Sequence, residues 1–158
     1  MSSTVNPIPS GYHAITPYLS ISGAAAAIDF YKRAFGAEEI YRLEMEGGII
    51  GHAEIQIGDS RIMLADDMPS MPDAIARSPQ VLKGTSVGLC IYLKDVDARF
   101  QQAVAAGAIV KRPVTDQFYG DRSGTVQDPF GHVWTLSTHV EDVSPEELQR
   151  RVAAMPKG

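Results

Sequence analysis

In the run IIGHAEIQI, residues 49–57, His52 and Glu54 stand two apart. Side chains at alternate positions of a strand leave it on the same face, so an imidazole and a carboxylate are presented together. Two chemistries are open to such a pair: proton transfer, one group acting as acid and the other as base, or the gripping of a divalent ion. The ion needs a third donor, for which His13 and Asp66 are the candidates. The plainer reading is that the two side chains bond to each other or to Arg and Tyr groups nearby. By the same parity Ile50 and Gln56 share their face, while Ile49, Gly51, Ala53, Ile55 and Ile57 make the apolar face that wants a helix layer.

The second stretch with chemical content is DPFGHVWTLSTH, residues 128–139, a tight turn feeding a strand. Trp134 and Leu136 alternate there with Val133, Thr135 and Ser137. Trp134 is expected in the core, where its indole N–H needs an acceptor. His132 follows the turn directly and is expected to cap it or pack on it; His139 ends the strand and is expected to be exposed. The single cysteine, Cys90, lies in the apolar run VGLCIYL. One cysteine excludes an internal disulfide and a cysteine-based zinc cluster, and its surroundings predict a buried thiol, with nucleophilic use as the alternative.

Composition bounds what these groups can serve. With 158 residues, 44% hydrophobic and 21% charged, the chain suits one soluble globular domain with a proper core. No apolar run approaches the roughly 20 residues of a membrane span. The opening MSSTVNPIPS has neither the basic end nor the apolar stretch of a signal peptide, so a cytoplasmic location is expected. The net charge is -5 and no block of Lys or Arg occurs, which argues against a nucleic acid partner.

The elements that must position these residues come in two rounds. AITPYLSIS alternates as a strand, and GAAAAIDFYKRAFGA then brings Ala26, Ile28, Phe30, Tyr31 and Phe35 near helical spacing before stopping at Gly36. SVGLCIYLKDVDARFQQAVAAGA repeats the plan, with Asp95 as N-cap, the apolar stripe Val96, Phe100, Ala103, Val104, and Gly107 as the stop. Gly36 and Gly107 stand 71 apart. Three strand-like runs follow each helix: EEIYRLEM, IIGHAEIQI and SRIMLAD in the first round, AIVKRPV, RSGTVQD and HVWTLST in the second. Each half therefore reads as βαβββ. The divisions are an N-terminal extension at 1–11, a first module at 12–67, a linker at 68–86, a second module at 87–140 and a tail at 141–158, all within one domain. The linker is rich in Pro, Met and Ser and is expected to be loop with one helical turn. Its Met63 to Met71 stretch could also serve as a lid or dimer contact. In the tail, Ser144 and Glu147 precede the apolar set Leu148, Val152 and Met155, which predicts a short amphipathic helix.

Paired βαβββ modules, with FYKRAFGAEEIYR in the first and DVDARFQQAVAAGA followed by YGDRSGTVQDPFGHVW in the second, resemble the vicinal oxygen chelate superfamily, and within it the PhnB-like branch. That superfamily holds glyoxalase I, fosfomycin- and bleomycin-resistance proteins and extradiol dioxygenases. The resemblance spans about residues 12–140. It implies an α+β fold in which two βαβββ modules form a curved, cup-like mixed sheet with helices packed outside and the concave face lining a site, and a homodimer, as in many members. His52, Glu54 and Gln56 would then point into the cup.

Metal-dependent members carry a His on the opening strand of a module and a Glu on the closing strand. Counted onto this chain, those positions are Thr16 and Gly88 at the openings and Leu64 and Thr135 at the closings. None of these four side chains is a competent ligand, so the resemblance implies a member without the usual metal. A displaced divalent ion on His52 and Glu54 is the alternative. The wall candidates are Thr16, Tyr18, Gln56, Cys90, Tyr92, Phe118, Tyr119, Arg122 and Thr135. Aromatic groups with one Arg suit a small planar or anionic ligand, unless Arg122 is spent on Asp121, Asp128 or Glu54. The expected function is the binding of a small organic ligand, without a resident cofactor; the alternative is a lyase, isomerase or transferase using His52 and Glu54. No Gly-rich strand–turn–helix is present to cradle a nucleotide-like cofactor, so a methyltransferase reading is not adopted.

Overall fold

The computed structural model describes residues 5–71 and 76–156, and those parts of the extension, linker and tail that fall at 1–4, 72–75 and 157–158 lie outside them. The chain divides into two compact units, residues 1–85 and 86–158. The first contains β1 (Tyr18–Ile21), α1 (Ala24–Phe35), β2 (Glu38–Glu44), β3 (Ile50–Ile57), β4 (Ser60–Asp66) and a single-turn helix α2 (Pro79–Leu82). The second contains β5 (Gly88–Tyr92), α3 (Val96–Ala106), β6 (Ile109–Asp116), β7 (Asp121–Gln127), β8 (Val133–His139) and α4 (Pro145–Ala153).

Each unit builds one four-stranded mixed sheet, ordered β1-β4-β3-β2 in the first and β5-β8-β7-β6 in the second. The opening strand runs parallel to the closing one in both, β1 with β4 and β5 with β8, and the other pairings are antiparallel. The expected βαβββ plan is therefore present twice, as an α+β fold with no closed barrel. Both long helices stop where glycine lets the backbone turn left-handed, at φ 70 for Gly36 and 119 for Gly107.

In the first unit Ala27, Ile28, Phe30, Tyr31 and Ala34 of α1 are buried together with Ile21, Ala53, Ile55 and Leu64 of the sheet; Ala26 faces outward. In the second, Val96, Phe100 and Ala103 of α3 are buried with Val126, Trp134 and Leu136. The space under α3 is tight, since a Cβ added to Gly124 would stand 2.6 Å from the Phe100 ring and 2.8 Å from Val114. The face of β7 and β8 that carries Gly124 is therefore the helix face.

Helix starts are held differently in the two units. Asp95 caps α3 as expected, accepting from the Ala98 N–H at 3.0 Å, and the Thr138 hydroxyl accepts from Val96 at 3.0 Å. Helix α1 begins at Gly23, which has no side chain to offer, and Asp66 from the end of β4 accepts from the N–H groups of Gly23 and Ala24 at 3.0 and 2.8 Å. Ser144 caps α4 through the Glu147 N–H at 3.2 Å, but the Glu147 carboxylate turns to Arg150 and Arg151 instead of closing a reciprocal box. No residue of α4 is buried, and Val152 and Met155 of its expected apolar set remain exposed. Among the described residues no helix is long and apolar enough to cross a membrane.

Candidate functional site

Strand pairing in the first unit sets the site. Tyr18 lies opposite Met63, Met63 opposite Glu54, and Glu54 opposite Tyr41, one row across all four strands. The row one residue along, Leu19, Leu64 and Ala53, is buried against the helix side. The face bearing Tyr18, Met63, Glu54 and Tyr41 is therefore the one turned away from the helix layer, and His52, opposite Leu43 of β2, joins it. Ile50 does not follow its parity partners: it is fully buried, while His52, Glu54 and Gln56 are half-buried.

On this face Tyr18, His52 and Glu54 form a continuous hydrogen-bonded line. The Tyr18 hydroxyl is 3.0 Å from His52 Nδ1, and His52 Nε2 is 3.3 Å from a Glu54 oxygen. An ionised carboxylate only accepts, which places the imidazole proton on Nε2 and leaves Nδ1 to accept from Tyr18. The Tyr18 ring tilts against the imidazole at 5.6 Å between centroids, and Tyr41 approaches it from β2 at 6.4 Å. At the far end Arg61 lies 3.8 Å from Glu54 and stacks its guanidinium 4.7 Å over the Tyr12 ring. The Tyr12 hydroxyl sits by the carboxylate without a well-aligned hydrogen bond. Its presence, more than that of His52 and Arg61, holds the Glu54 carboxyl below the usual range against the opposing effect of burial. Burial pushes the Tyr18 phenol up, so it stays protonated.

Metal ligation does not fit these donors. Both nitrogens of His52 are engaged. Asp66, a candidate third ligand, accepts from Gly23 and Ala24 on one oxygen and from Ile50 N–H at 2.7 Å on the other. His13 is exposed. Among the described residues no group of three or more His, Cys, Asp or Glu stands close enough to hold a metal ion.

The positions reached by counting need one correction. Leu64 lies on the helix face and is fully buried, whereas Thr135 lies opposite Cys90 on the other face of its own sheet. Tyr18 pairs with Met63 as Cys90 pairs with Thr135, at a spacing of 72 in each case, so Met63 is the residue of the first unit that matches Thr135. Thr16 precedes β1, which begins only at Tyr18 after Pro17. Thr16, Met63, Gly88 and Thr135 still include no imidazole and no carboxylate.

The second unit places the remaining candidates. Cys90 is exposed rather than buried: β5 is an edge strand, and its Gly88, Cys90 and Tyr92 face away from the helix side. Thr135 bonds Thr125 across the strands at 3.1 Å. Tyr92 donates to buried Asp121 at 2.8 Å, and the other Asp121 oxygen meets His139 Nδ1 at 2.8 Å. Asp142 takes His139 Nε2 at 2.9 Å, and the two carboxylates, Asp121 first, raise the His139 pKa. Arg122 is spent, though not on the partners expected. It grips Asp97 through two bonds of 2.7 and 2.8 Å and Asp116 through one of 3.0 Å, tying the start of α3 to β6. Phe118 and Tyr119 meet edge-on at 5.2 Å at the β6–β7 turn and are exposed. In the first unit Gln56 bonds its own turn at Gly58. Trp134 is buried as expected and its indole donates to Asp128 at 2.9 Å, while the other Asp128 oxygen accepts from Phe130 and His132 N–H.

Tyr12, Tyr41 and Arg61 are members of the first unit's cluster that pattern reading does not supply. Register shifts in β2 between Glu39 and Tyr41 break the alternation that would have placed Tyr41, and Tyr12 lies in no strand.

Comparison with known proteins places the architecture. The Glyoxalase/Bleomycin resistance protein/Dioxygenase superfamily matches residues 13–136. An uncharacterized protein of Mycobacterium tuberculosis is 41% identical over 145 residues, covering 92% of this chain and 85% of that protein. Among solved structures, TioX from Micromonospora sp. aligns with a TM-score of 0.63 at 25% identity, over 81% of this chain and 99% of that one. A PhnB protein from Bacillus cereus aligns at 0.61 and 18% identity, over 80% and 99%, a likeness of fold alone.

Proposed function

Because the chain belongs to the Glyoxalase/Bleomycin resistance protein/Dioxygenase superfamily, we propose that it binds a small organic ligand on the open face of its first module, without the metal ion usual among relatives. The observation that carries this reading is the convergence of Tyr18, Tyr41, His52 and Glu54 on a sheet face that is not packed under a helix. Aromatic walls with a few directed polar groups are what a small-molecule site needs. The donor chemistry supports the metal-free part, since Thr16, Met63, Gly88 and Thr135 offer no imidazole or carboxylate and both nitrogens of His52 are hydrogen-bonded. The proposal includes a homodimer, for which light scattering of the purified protein is the direct check, and a cytoplasmic location, which cell fractionation checks.

A screen of small planar organic compounds by thermal shift tests the reading. A ligand should raise the melting temperature of the wild type by mass action and lose that effect in a His52→Ala, Glu54→Gln double variant. About one equivalent of Zn, Mn, Ni or Fe per purified chain, with binding lost on chelation, would overturn the metal-free reading. A second reading, an enzyme of the lyase, isomerase or transferase kind, is favoured by the ordered line Tyr18, His52, Glu54.

A further inference from the structure

We propose that Tyr18 is the proton-transfer group of this face, taking a proton from a bound planar, enolisable carbonyl compound while passing its own proton to His52. This rests on the reading that the first module's open face binds a small organic ligand.

The hydrogen-bonded line has one open end. Tyr12 and Arg61 close in on Glu54, and both nitrogens of His52 are taken by Glu54 and Tyr18. The Tyr18 hydroxyl donates to His52, and its oxygen keeps a lone pair with which to accept a proton. In the step, a C–H bond beside the carbonyl breaks and its electron pair stays on the substrate as an enolate. The proton joins the Tyr18 oxygen as the Tyr18 proton moves to His52 Nδ1. The resulting imidazolium keeps its Nε2–H on the Glu54 carboxylate, which offsets the new charge, and the reverse transfer to another substrate atom completes an isomerisation. No co-reactant is consumed. The net base of this relay is the His52 imidazole, with Tyr18 neutral before and after, so it needs an acidified C–H bond, which selects 1,3-dicarbonyl compounds over simple ketones, and the flanking Tyr41 ring suits a flat molecule. Glu54 is a positioning residue in this scheme: it sets the tautomer and touches none of the reacting atoms.

The test uses ethyl acetoacetate in heavy water, following deuterium uptake at its central carbon by proton NMR and binding by line broadening of the same signals. Wild type should accelerate uptake, and Tyr18→Phe should lose about 100-fold of that acceleration or more while still broadening the signals. Glu54→Gln should lower the rate and displace its pH profile, a profile also exposed to Tyr12, Tyr41 and Arg61, whereas loss of a merely structural contact would leave its shape unchanged. Circular dichroism melts confirm that the variants fold. Binding without acceleration, or a Tyr18→Phe variant as fast as wild type, overturns the relay alone. Absence of binding by this ester overturns the substrate class, and absence of binding across the whole planar panel overturns the ligand reading beneath it.

Discussion

The two modules contain the same three kinds of group, a tyrosine, a histidine and a carboxylate, strung in different order. In the first the histidine is in the middle, between Tyr18 and Glu54; in the second the carboxylate is, with Asp121 between Tyr92 and His139. Order decides what each can do. A central imidazole with one acceptor and one donor partner has a defined tautomer and can pass a proton along the line. A histidine clamped between Asp121 and Asp142 has both nitrogens facing carboxylates, which favour its charged form and fasten the end of β8 to the segment before α4. One duplicated scaffold thus carries a line centred on a histidine in one copy and a clasp centred on a carboxylate in the other.

The same divergence appears in the packing beneath the helices, where it can be broken by single substitutions. The largest effect should come from Asp128→Ala, which removes the acceptor of the Trp134 indole and of the N–H groups of Phe130 and His132, all close to or within the core. A loss of about 3 kcal/mol or more is expected in urea unfolding. Asp66→Ala also releases three N–H groups, but Gly23 is exposed and can turn to water, so about 1–2 kcal/mol is expected. Equal losses would mean that the two carboxylates do not differ as their surroundings imply.

A second comparison concerns size. Gly124 pairs with Leu136 where Ala53 pairs with Leu64, and the fifth residue of α3 is Phe100 where the fifth residue of α1 is Ile28. The larger helix residue is accommodated by the smaller strand residue. Gly124→Ala should therefore cost about 1–3 kcal/mol by overpacking, and pairing it with Phe100→Leu should recover part of the loss.

The smallest effect is the pH dependence of the clasp. Asp121 and Asp142 raise the His139 pKa in the folded chain. Its contribution is therefore fully present below the ordinary histidine value near 6.5 and is lost as pH rises through the higher folded value. Melting curves of wild type and His139→Gln, taken from pH 6 upward, should converge as that contribution disappears. Curves that stay parallel would remove the clasp.

Much of the architecture was legible in the chain because helix and strand periods repeat with the same stops. Gly36 and Gly107, the Asp95 and Ser144 caps and the buried Trp134 all follow from local chemistry. The site was less legible, for reasons of register and reach. Spacings of 71 and 72 differ by one residue, and one residue exchanges the faces of a strand, so counting along the chain sets Leu64 against Thr135 where strand pairing matches Met63. A bulge hid Tyr41. Cys90 sits in an apolar run but on an edge strand, facing away from the helix side, so composition predicted burial that topology does not provide. Arg122 finds Asp97 through a helix start 25 residues away, a contact no local pattern announces. His52 and Glu54, by contrast, share a face and a hydrogen bond as parity requires.

The central claim is that His52 accepts from Tyr18 and donates to Glu54, and nitrogen-15 NMR of the histidine ring reads this directly. The neutral ring should carry its proton on Nε2 and leave Nδ1 unprotonated, and the Nδ1 resonance should shift in Tyr18→Phe as the hydrogen bond is lost. A neutral ring protonated on Nδ1, or an Nδ1 signal indifferent to Tyr18→Phe, would contradict it.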